Sequence, residues 1–141
     1  MKHVVNIEDM RLAARRKLPR AIFDFLDGGA LDELTLRANR EDFHRLFFRP
    51  RILRDVSRRN LETDIFGTTY KLPLVLGPIG SLGLLARQGE QWVARAAQAI
   101  GIPMCLSTAS VCSIEEVRSA SSQPFWFQLY VRSEEHTSEL Q

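Results

Sequence analysis

The sequence predicts an α/β protein with a parallel sheet, and three observations in the second half of the chain support this class. Short apolar runs recur at 72–76, 102–106 and 125–131. The intervals between them contain stretches with the residue spacing of amphipathic helices. Strands that alternate with helices of about 10 residues pair in parallel, and helices then cover both faces of the sheet.

The first predicted element is a helix that ends at Lys17. Asn6 is a favoured residue at a helix start, and Asp9 follows it three positions later. A modest apolar stripe should run along one side of this helix. Its members are Ile7, Met10, Leu12 and Ala14.

Two further short helices are predicted before the first strand. Pro19 suits the first turn of the second helix, and a glycine pair beginning at Gly28 ends it. A third helix is expected at 31–43, with Leu34 and Ala38 on its buried side. Three short helices ahead of the first parallel strand do not fit a repeating strand–helix unit, so we interpret them as an N-terminal appendage.

Residues 45–59 form a basic stretch that we expect to be extended, with arginines among large apolar side chains. It is either a phosphate-binding strip or a solvated edge with packed aromatic residues, and the second interpretation is favoured. Strand patterns at 61–65 and 68–71, joined through Phe66 and Gly67, predict a β-hairpin. In a barrel, such a hairpin would close the amino-terminal mouth.

Two helices are predicted between the strands of the repeating unit. The first spans 90–100 and ends at Gly101. Five residues are spaced to form its buried face: Trp92, Val93, Ala96, Ala97 and Ile100. The second helix opens at Ser113, and Glu116 three residues later completes the pattern of a capping box.

Polar residues lie at the carboxyl ends of the predicted strands. Ser107 follows the second strand, and a stretch rich in glycine and proline, 77–80, follows the first. On the third strand, Gln128 and Tyr130 share one face because side chains alternate. Ligands of parallel α/β folds lie beyond the carboxyl ends of the strands, so these groups predict a binding site. The alternative is that Gln128 is a buried amide bonded to neighbouring backbone.

The composition indicates one globular domain. The chain has 141 residues, of which 45% are hydrophobic, and its formal net charge of +2 is no signature of a nucleic-acid partner. Cys105 and Cys112 are interpreted as reduced thiols of a cytosolic protein. No secretory signal is expected, and 72–86 is too short for a membrane helix. His44 has no second His or Cys at metal-ligand spacing, so no metal site is predicted.

Seven motifs occur in an order that points to one family. They are KLP at 17–19, DFLDGGA at 24–30, FRPR at 48–51, GP at 77–78, LSTAS at 106–110, SIEEV at 113–117 and FQLYV at 127–131. The chain thereby resembles the FMN-dependent 2-hydroxy-acid dehydrogenases and oxidases, which include glycolate oxidase, L-lactate dehydrogenase and mandelate dehydrogenase. The resemblance extends from about Asn6 to Val131.

This resemblance implies a TIM (β/α)8 barrel, of which the chain holds the N-terminal part, preceded by a short helical segment and the β-hairpin. Five positions match residues that hold the FMN ring in the family: Pro78, Ile79 and Gly80 through backbone, and Ser107 and Gln128 through side chains. Tyr130 matches a tyrosine whose hydroxyl hydrogen-bonds the substrate oxygen, and it is the predicted catalytic residue.

The chain departs from the family at the substrate site. A family tyrosine that binds the substrate carboxylate falls at Phe25, which has no hydroxyl. Phe25 is therefore either a wall of the substrate pocket or a packed helix residue. The catalytic histidine, the substrate arginines and the phosphate-binding loops of the family belong to later strands, which the sequence does not contain.

Two segments are predicted on this basis. Residues 1–131 are the N-terminal part of an FMN hydroxy-acid dehydrogenase domain, and 132–141 resemble the translation of a common sequencing adapter rather than native sequence. A natural polar helix is the alternative for the tail, which lacks an apolar stripe. The 141-residue chain by itself is expected to be inactive.

The implied function of the full-length parent is oxidation of an L-2-hydroxy acid, such as lactate, mandelate or glycolate, to the 2-oxo acid. The electron acceptor would be oxygen, a quinone or a cytochrome, and the parent would be a tetramer, cytoplasmic or peripheral to the inner face of the membrane. There are two alternatives. The parent is either a different FMN-dependent barrel enzyme, such as an isomerase or a nucleotide dehydrogenase, or the chain is a truncated fragment without catalytic function.

Overall fold

The computed structural model describes residues 4–131, and the chain divides into two compact units, Met1–Ser57 and Arg58–Gln141. The predicted non-native tail, 132–141, lies outside the described residues. Among the helices at 4–131, none has the length and apolar character needed to cross a bilayer.

The first unit contains the three predicted helices. They are α1 (Ile7–Lys17), α2 (Arg20–Asp27) and α3 (Leu34–Glu41), the last continued by a 3-10 turn at Asp42–Arg45. The helix start at Asn6 is confirmed as a capping box, because the Asp9 amide donates to Asn6 Oδ1 at 2.8 Å and the Asn6 amide donates to Asp9 Oδ2 at 3.3 Å. Gly28 ends α2, as predicted.

Burial in this unit differs from the prediction. In the described part of the chain, α1 and α3 contain no buried residue, and Leu34 is 69% exposed. The third helix also begins later than expected, because Leu31 and Glu33 adopt left-handed backbone angles that break a helix. Polar contacts join the helices instead, with Arg11 bonded to Asp27 and Arg40 Nη2 donating to a carboxylate oxygen of Glu8 at 2.7 Å.

The second unit begins with the predicted β-hairpin. Strands β1 (Thr63–Ile65) and β2 (Thr68–Tyr70) pair antiparallel. Phe66 and Gly67 form the turn with positive φ angles of 52° and 74°. The Phe66 ring stands edge-on to Trp126, with 5.5 Å between ring centroids. The hairpin therefore contacts the amino end of the last described strand, and its place at the mouth of a barrel stays a prediction.

Parallel pairing of the sheet is confirmed. Strands β3 (Cys105–Leu106) and β4 (Trp126–Phe127) pair in parallel, and Leu76 forms a parallel bridge with Met104. Helices α4 (Gly89–Ile100) and α5 (Ile114–Ala120) fill the two intervals. The expected first strand at 72–76 is reduced to the Leu76 bridge. Pro73 has no amide hydrogen to contribute to a longer ladder.

The core of this unit is formed by six buried apolar residues from α4, α5 and the strands: Ala94, Ala97, Ile102, Met104, Leu106 and Val117. The predicted buried face of α4 was only partly right. Ala97 is buried, but Trp92 is 58% exposed, with the Arg95 guanidinium 4.9 Å from its ring centre. The inward face instead carries Glu90, whose carboxylate accepts hydrogen bonds from neighbouring loops. Gly101 ends the helix with a φ of 80°, as predicted.

Candidate functional site

Three chain segments that follow the parallel strands lie together. The Ser81 amide donates to the Ala109 carbonyl at 2.8 Å, which joins the segment after Leu76 to the turn after β3. The Ser107 hydroxyl then joins that turn to Gln128, two residues along from Trp126 on β4. The predicted meeting of these polar groups at the carboxyl edge of the sheet is therefore present in the fold.

The Ser107 hydroxyl determines how the Gln128 amide is oriented. Ser107 is buried, and its Oγ accepts a hydrogen bond from the Ala109 amide at 3.1 Å. A backbone N–H can only donate, so the hydroxyl proton is available for Gln128 Oε1, which lies 3.2 Å away. The Gln128 NH2 group is left to donate to another partner. Gln128 is partly buried, and the described contact of its side chain is with the Ser107 hydroxyl rather than with backbone; its contact with a ligand stays a prediction.

Glycine at position 80 permits a close approach between two of these segments. A Cβ on Gly80 would lie 3.3 Å from Ala109 Cβ and 3.9 Å from Ser107 Oγ, and the first contact is tighter than most. Pro78, Ile79 and Gly80 are themselves exposed. Through Gly80, this exposed segment adjoins the Ser107 hydroxyl that meets Gln128.

Tyr130 lies two residues beyond Gln128, past the end of β4. Its side chain is 52% exposed, and its backbone amide donates to Thr108 Oγ1 at 3.2 Å. The side-chain hydroxyl of this residue is the group to which the sequence assigns a role in chemistry.

Phe25 lies on α2 of the first unit and is 77% exposed. The predicted contact with substrate stays a prediction. The packed-helix interpretation stays a prediction as well.

The sequence analysis missed Glu90, a carboxylate that is 2% exposed. Its Oε1 accepts hydrogen bonds from the Gly83 amide at 3.2 Å and the Val111 amide at 3.0 Å, and its Oε2 accepts one from Cys112 Sγ at 3.3 Å. Glu90 therefore joins the segment after Leu76 to the turn after β3. The only sequence signal was an acidic residue in the first turn of α4, where the helix dipole favours negative charge.

The electrostatics of this contact follow from burial and hydrogen bonding. Burial opposes ionisation of Glu90, but the backbone amides and the Cys112 thiol that donate to it outweigh burial, so the pKa of Glu90 is lowered. Burial and the adjacent carboxylate raise the pKa of Cys112 to about 11. Cys112 is thus a protonated thiol at neutral pH, and Cys105 and Cys112 form no disulfide with each other.

These features define the class of the protein. Residues 14–140 match the family described as FMN-dependent dehydrogenase. The chain belongs to this family, as the seven sequence motifs indicated.

Curated relatives are L-lactate dehydrogenases. One from Pseudomonas syringae is 53% identical over 128 residues, which cover 91% of this chain and 34% of the relative. One from Caulobacter vibrioides is 52% identical over 128 residues, which cover 91% of this chain and 33% of the relative. The chain thus spans about a third of the length of the curated relatives it matches.

Solved structures of (S)-mandelate dehydrogenase share the fold of this chain. A soluble mutant of the membrane-associated enzyme from Pseudomonas putida is 43% identical, with a TM-score of 0.87 over 94% of this chain and 38% of its own. A structure described as the monotopic membrane protein (S)-mandelate dehydrogenase is 40% identical, with a TM-score of 0.88 over 99% of this chain and 37% of its own.

Proposed function

We propose that the full-length protein, meaning this chain continued to the length of its relatives, oxidises an L-2-hydroxy acid to the 2-oxo acid with FMN. One observation carries the proposal: Ser107 orients the Gln128 amide beside the exposed backbone of 78–80. Family membership supplies the class of reaction. The parallel order of Leu76, β3 and β4, with a helix in each interval, supports a TIM (β/α)8 barrel for the whole domain.

The residues present fit FMN. A flat ring with hydrogen-bonding edges needs exposed backbone groups and a fixed side-chain donor, and this edge of the sheet offers both. Pro78, Ile79 and Gly80 would contact FMN through backbone, and Ser107 and Gln128 would contact it through side chains. When bound, FMN supplies the acceptor for the two electrons that leave the hydroxy acid.

Tyr130 is the proposed catalytic residue of this chain. In extended backbone, alternation would put its side chain on the same side as that of Gln128, and its hydroxyl would then donate to the substrate oxygen next to the cofactor. A donor aimed at an oxygen that changes charge lowers the barrier to reaction. The proton-abstracting base of the family belongs to later strands, and this chain supplies the hydrogen-bond donor.

The full-length protein should be yellow and should bleach under anaerobic conditions when an L-2-hydroxy acid is added. Visible absorbance recorded with L-lactate, (S)-mandelate and glycolate tests this, with D-lactate as the matched control that must leave the colour unchanged. A protein without flavin absorbance, or one that no hydroxy acid bleaches, would exclude the proposed function.

Phe25→Tyr should leave the turnover of the full-length protein similar, or lower the Michaelis constant for the hydroxy acid. The substitution adds a hydroxyl that can donate to a substrate carboxylate, and α2 already exposes the ring, so no packing is lost. Steady-state kinetics with L-lactate measure both quantities. Phe23→Tyr, on the buried side of α2, is the control, and only a large loss of turnover in Phe25→Tyr would contradict the assignment.

The partners of the full-length protein follow from the same proposal. Its substrate is a small 2-hydroxy acid, and its electron acceptor is oxygen, a quinone or a cytochrome. Supplying each acceptor in turn to the reduced protein identifies the one that reoxidises it. A homotetramer is proposed as the assembly. Peripheral attachment to the inner face of the membrane is supported by the solved neighbour described as a monotopic membrane protein.

A further inference from the structure

The ladder between β3 and β4 does not end as a regular parallel ladder would. The Trp126 amide donates to the Met104 carbonyl at 2.9 Å, and the Gln128 amide donates to the Leu106 carbonyl at 2.8 Å. Continuing this pattern by two residues would pair the Tyr130 amide with the carbonyl of Thr108. Instead, the Tyr130 amide donates to the side-chain oxygen of Thr108 at 3.2 Å.

The backbone turns away from the sheet at this point. The Ser110 amide donates to the Ser107 carbonyl at 3.1 Å, which closes a turn that contains Thr108 and Ala109. Thr108 Oγ1 stays at the edge of the sheet, where it also donates to the Gln128 carbonyl. The Thr108 hydroxyl thus replaces a backbone acceptor for the Tyr130 amide and a backbone donor to the Gln128 carbonyl. A hydroxyl can fill both roles because it has one proton to donate and lone pairs that accept.

We propose that Thr108 is a positioning residue that holds the backbone of Gln128 and Tyr130 in strand geometry beyond the end of the ladder. Ser107 fixes the side chain of Gln128, and Thr108 fixes the backbone on either side of Leu129. The direction of the Tyr130 side chain depends on this backbone. Threonine suits the role because its branched Cβ restricts the hydroxyl to few rotamers.

The inference rests on the proposed function, since it concerns the donor that acts in that reaction. Thr108→Val removes the hydroxyl and keeps the branched shape. In the full-length holoenzyme it should slow anaerobic flavin reduction at saturating L-lactate about 5- to 30-fold, as expected for the loss of two modest hydrogen bonds. The substrate concentration for half-maximal rate should change less than about 3-fold, because Tyr130 acts mainly in the transition state.

Hydrogen exchange at the Tyr130 amide gives a readout that does not depend on activity. It should be about 10-fold faster or more in Thr108→Val and should change far less in Thr108→Ser, which keeps the hydroxyl but not the branched Cβ. Thr108→Ala removes the hydroxyl without a branched replacement and should match Thr108→Val. Should Thr108→Val fail to fold, Thr108→Ala takes its place.

Ser110→Ala is the matched control, since its hydroxyl lies in the same turn and donates at 2.8 Å to the Cys112 carbonyl, away from β4. Wild-type reduction rate and wild-type exchange in Thr108→Val would overturn the inference, as would equal losses in Ser110→Ala. If the unmodified protein reduces no flavin with any hydroxy acid, the proposed function fails, and the exchange measurement still decides the role of Thr108.

Discussion

Tyr130→Phe should lower the rate of flavin reduction in the full-length protein about 10- to 1,000-fold, the range for loss of one donor to a transition-state oxygen. The ring is half exposed, and the described contact of this residue to its neighbours is made by the backbone, which the substitution keeps. Flavin content and folding should therefore be unchanged. Single-turnover absorbance measurements with L-lactate and (S)-mandelate give the rate directly.

The matched control for this experiment is Tyr70→Phe. Tyr70 is the other tyrosine of the chain, and it is buried in β2 of the hairpin. Its substitution should leave the reduction rate at the unmodified value. Full rate in Tyr130→Phe with every substrate would show that the hydroxyl is not the catalytic donor.

Glu90→Ala should produce the largest loss of local stability. Without the carboxylate, the part-buried amides of Gly83 and Val111 lose a charged acceptor, and each such loss costs about 1–3 kcal/mol. Native-state hydrogen exchange measures the free energy of local opening at each of the two amides. The two values together should fall by about 2–6 kcal/mol. Both amides belong to segments next to the proposed FMN contacts, so flavin should also dissociate faster.

Glu90→Gln distinguishes the hydrogen bonds from the charge. Glutamine can keep one oxygen for both amides, so its loss should be smaller, about 1–2 kcal/mol. The lowered pKa of Glu90 sets the pH dependence: its stabilisation is complete above the usual glutamate range and is lost as pH falls through the lower folded value. Glu90→Gln should remove this acid-induced loss.

The control is Glu62→Gln, an exposed carboxylate in the same unit whose described side-chain hydrogen bond is one accepted from Asn60 Nδ2 at 3.3 Å. Its exchange profile should match the unmodified protein at pH 7 and at pH 4. Equal opening free energies in Glu90→Ala and the unmodified protein would contradict the role assigned to this carboxylate.

Local chemistry made much of this fold predictable. The capping box at Ser113 and Glu116, the left-handed stop at Gly101 and the turn through Phe66 each depend on a few consecutive residues. The side of α4 that is buried depends on distant segments instead. Trp92 was predicted to be buried and is exposed, whereas Glu90 is buried because it accepts hydrogen bonds from the amides of Gly83 and Val111. The spacing of apolar residues contains no information about those hydrogen bonds.

The candidate site shows the same division. Gly80, Ser107 and Gln128 could be grouped because the carboxyl ends of parallel strands meet at one edge, and the structure brings them together. Thr108 could not be assigned a role, because its contacts exist only where the backbone leaves the sheet. From sequence alone, a threonine that bonds the backbone of a neighbouring strand cannot be told from a turn threonine whose hydroxyl faces solvent.

The edge-on contact between Phe66 and Trp126 sets an order of events during synthesis. The two rings lie 60 positions apart in the chain, so at about 5–20 residues per second the hairpin waits about 3–12 s on the ribosome for its partner. During that interval the hairpin lacks this contact, although the Phe66 ring itself is 90% exposed even in the described folded chain. Closing so long a loop also carries an entropic cost, so docking of the hairpin should follow formation of the strand–helix units.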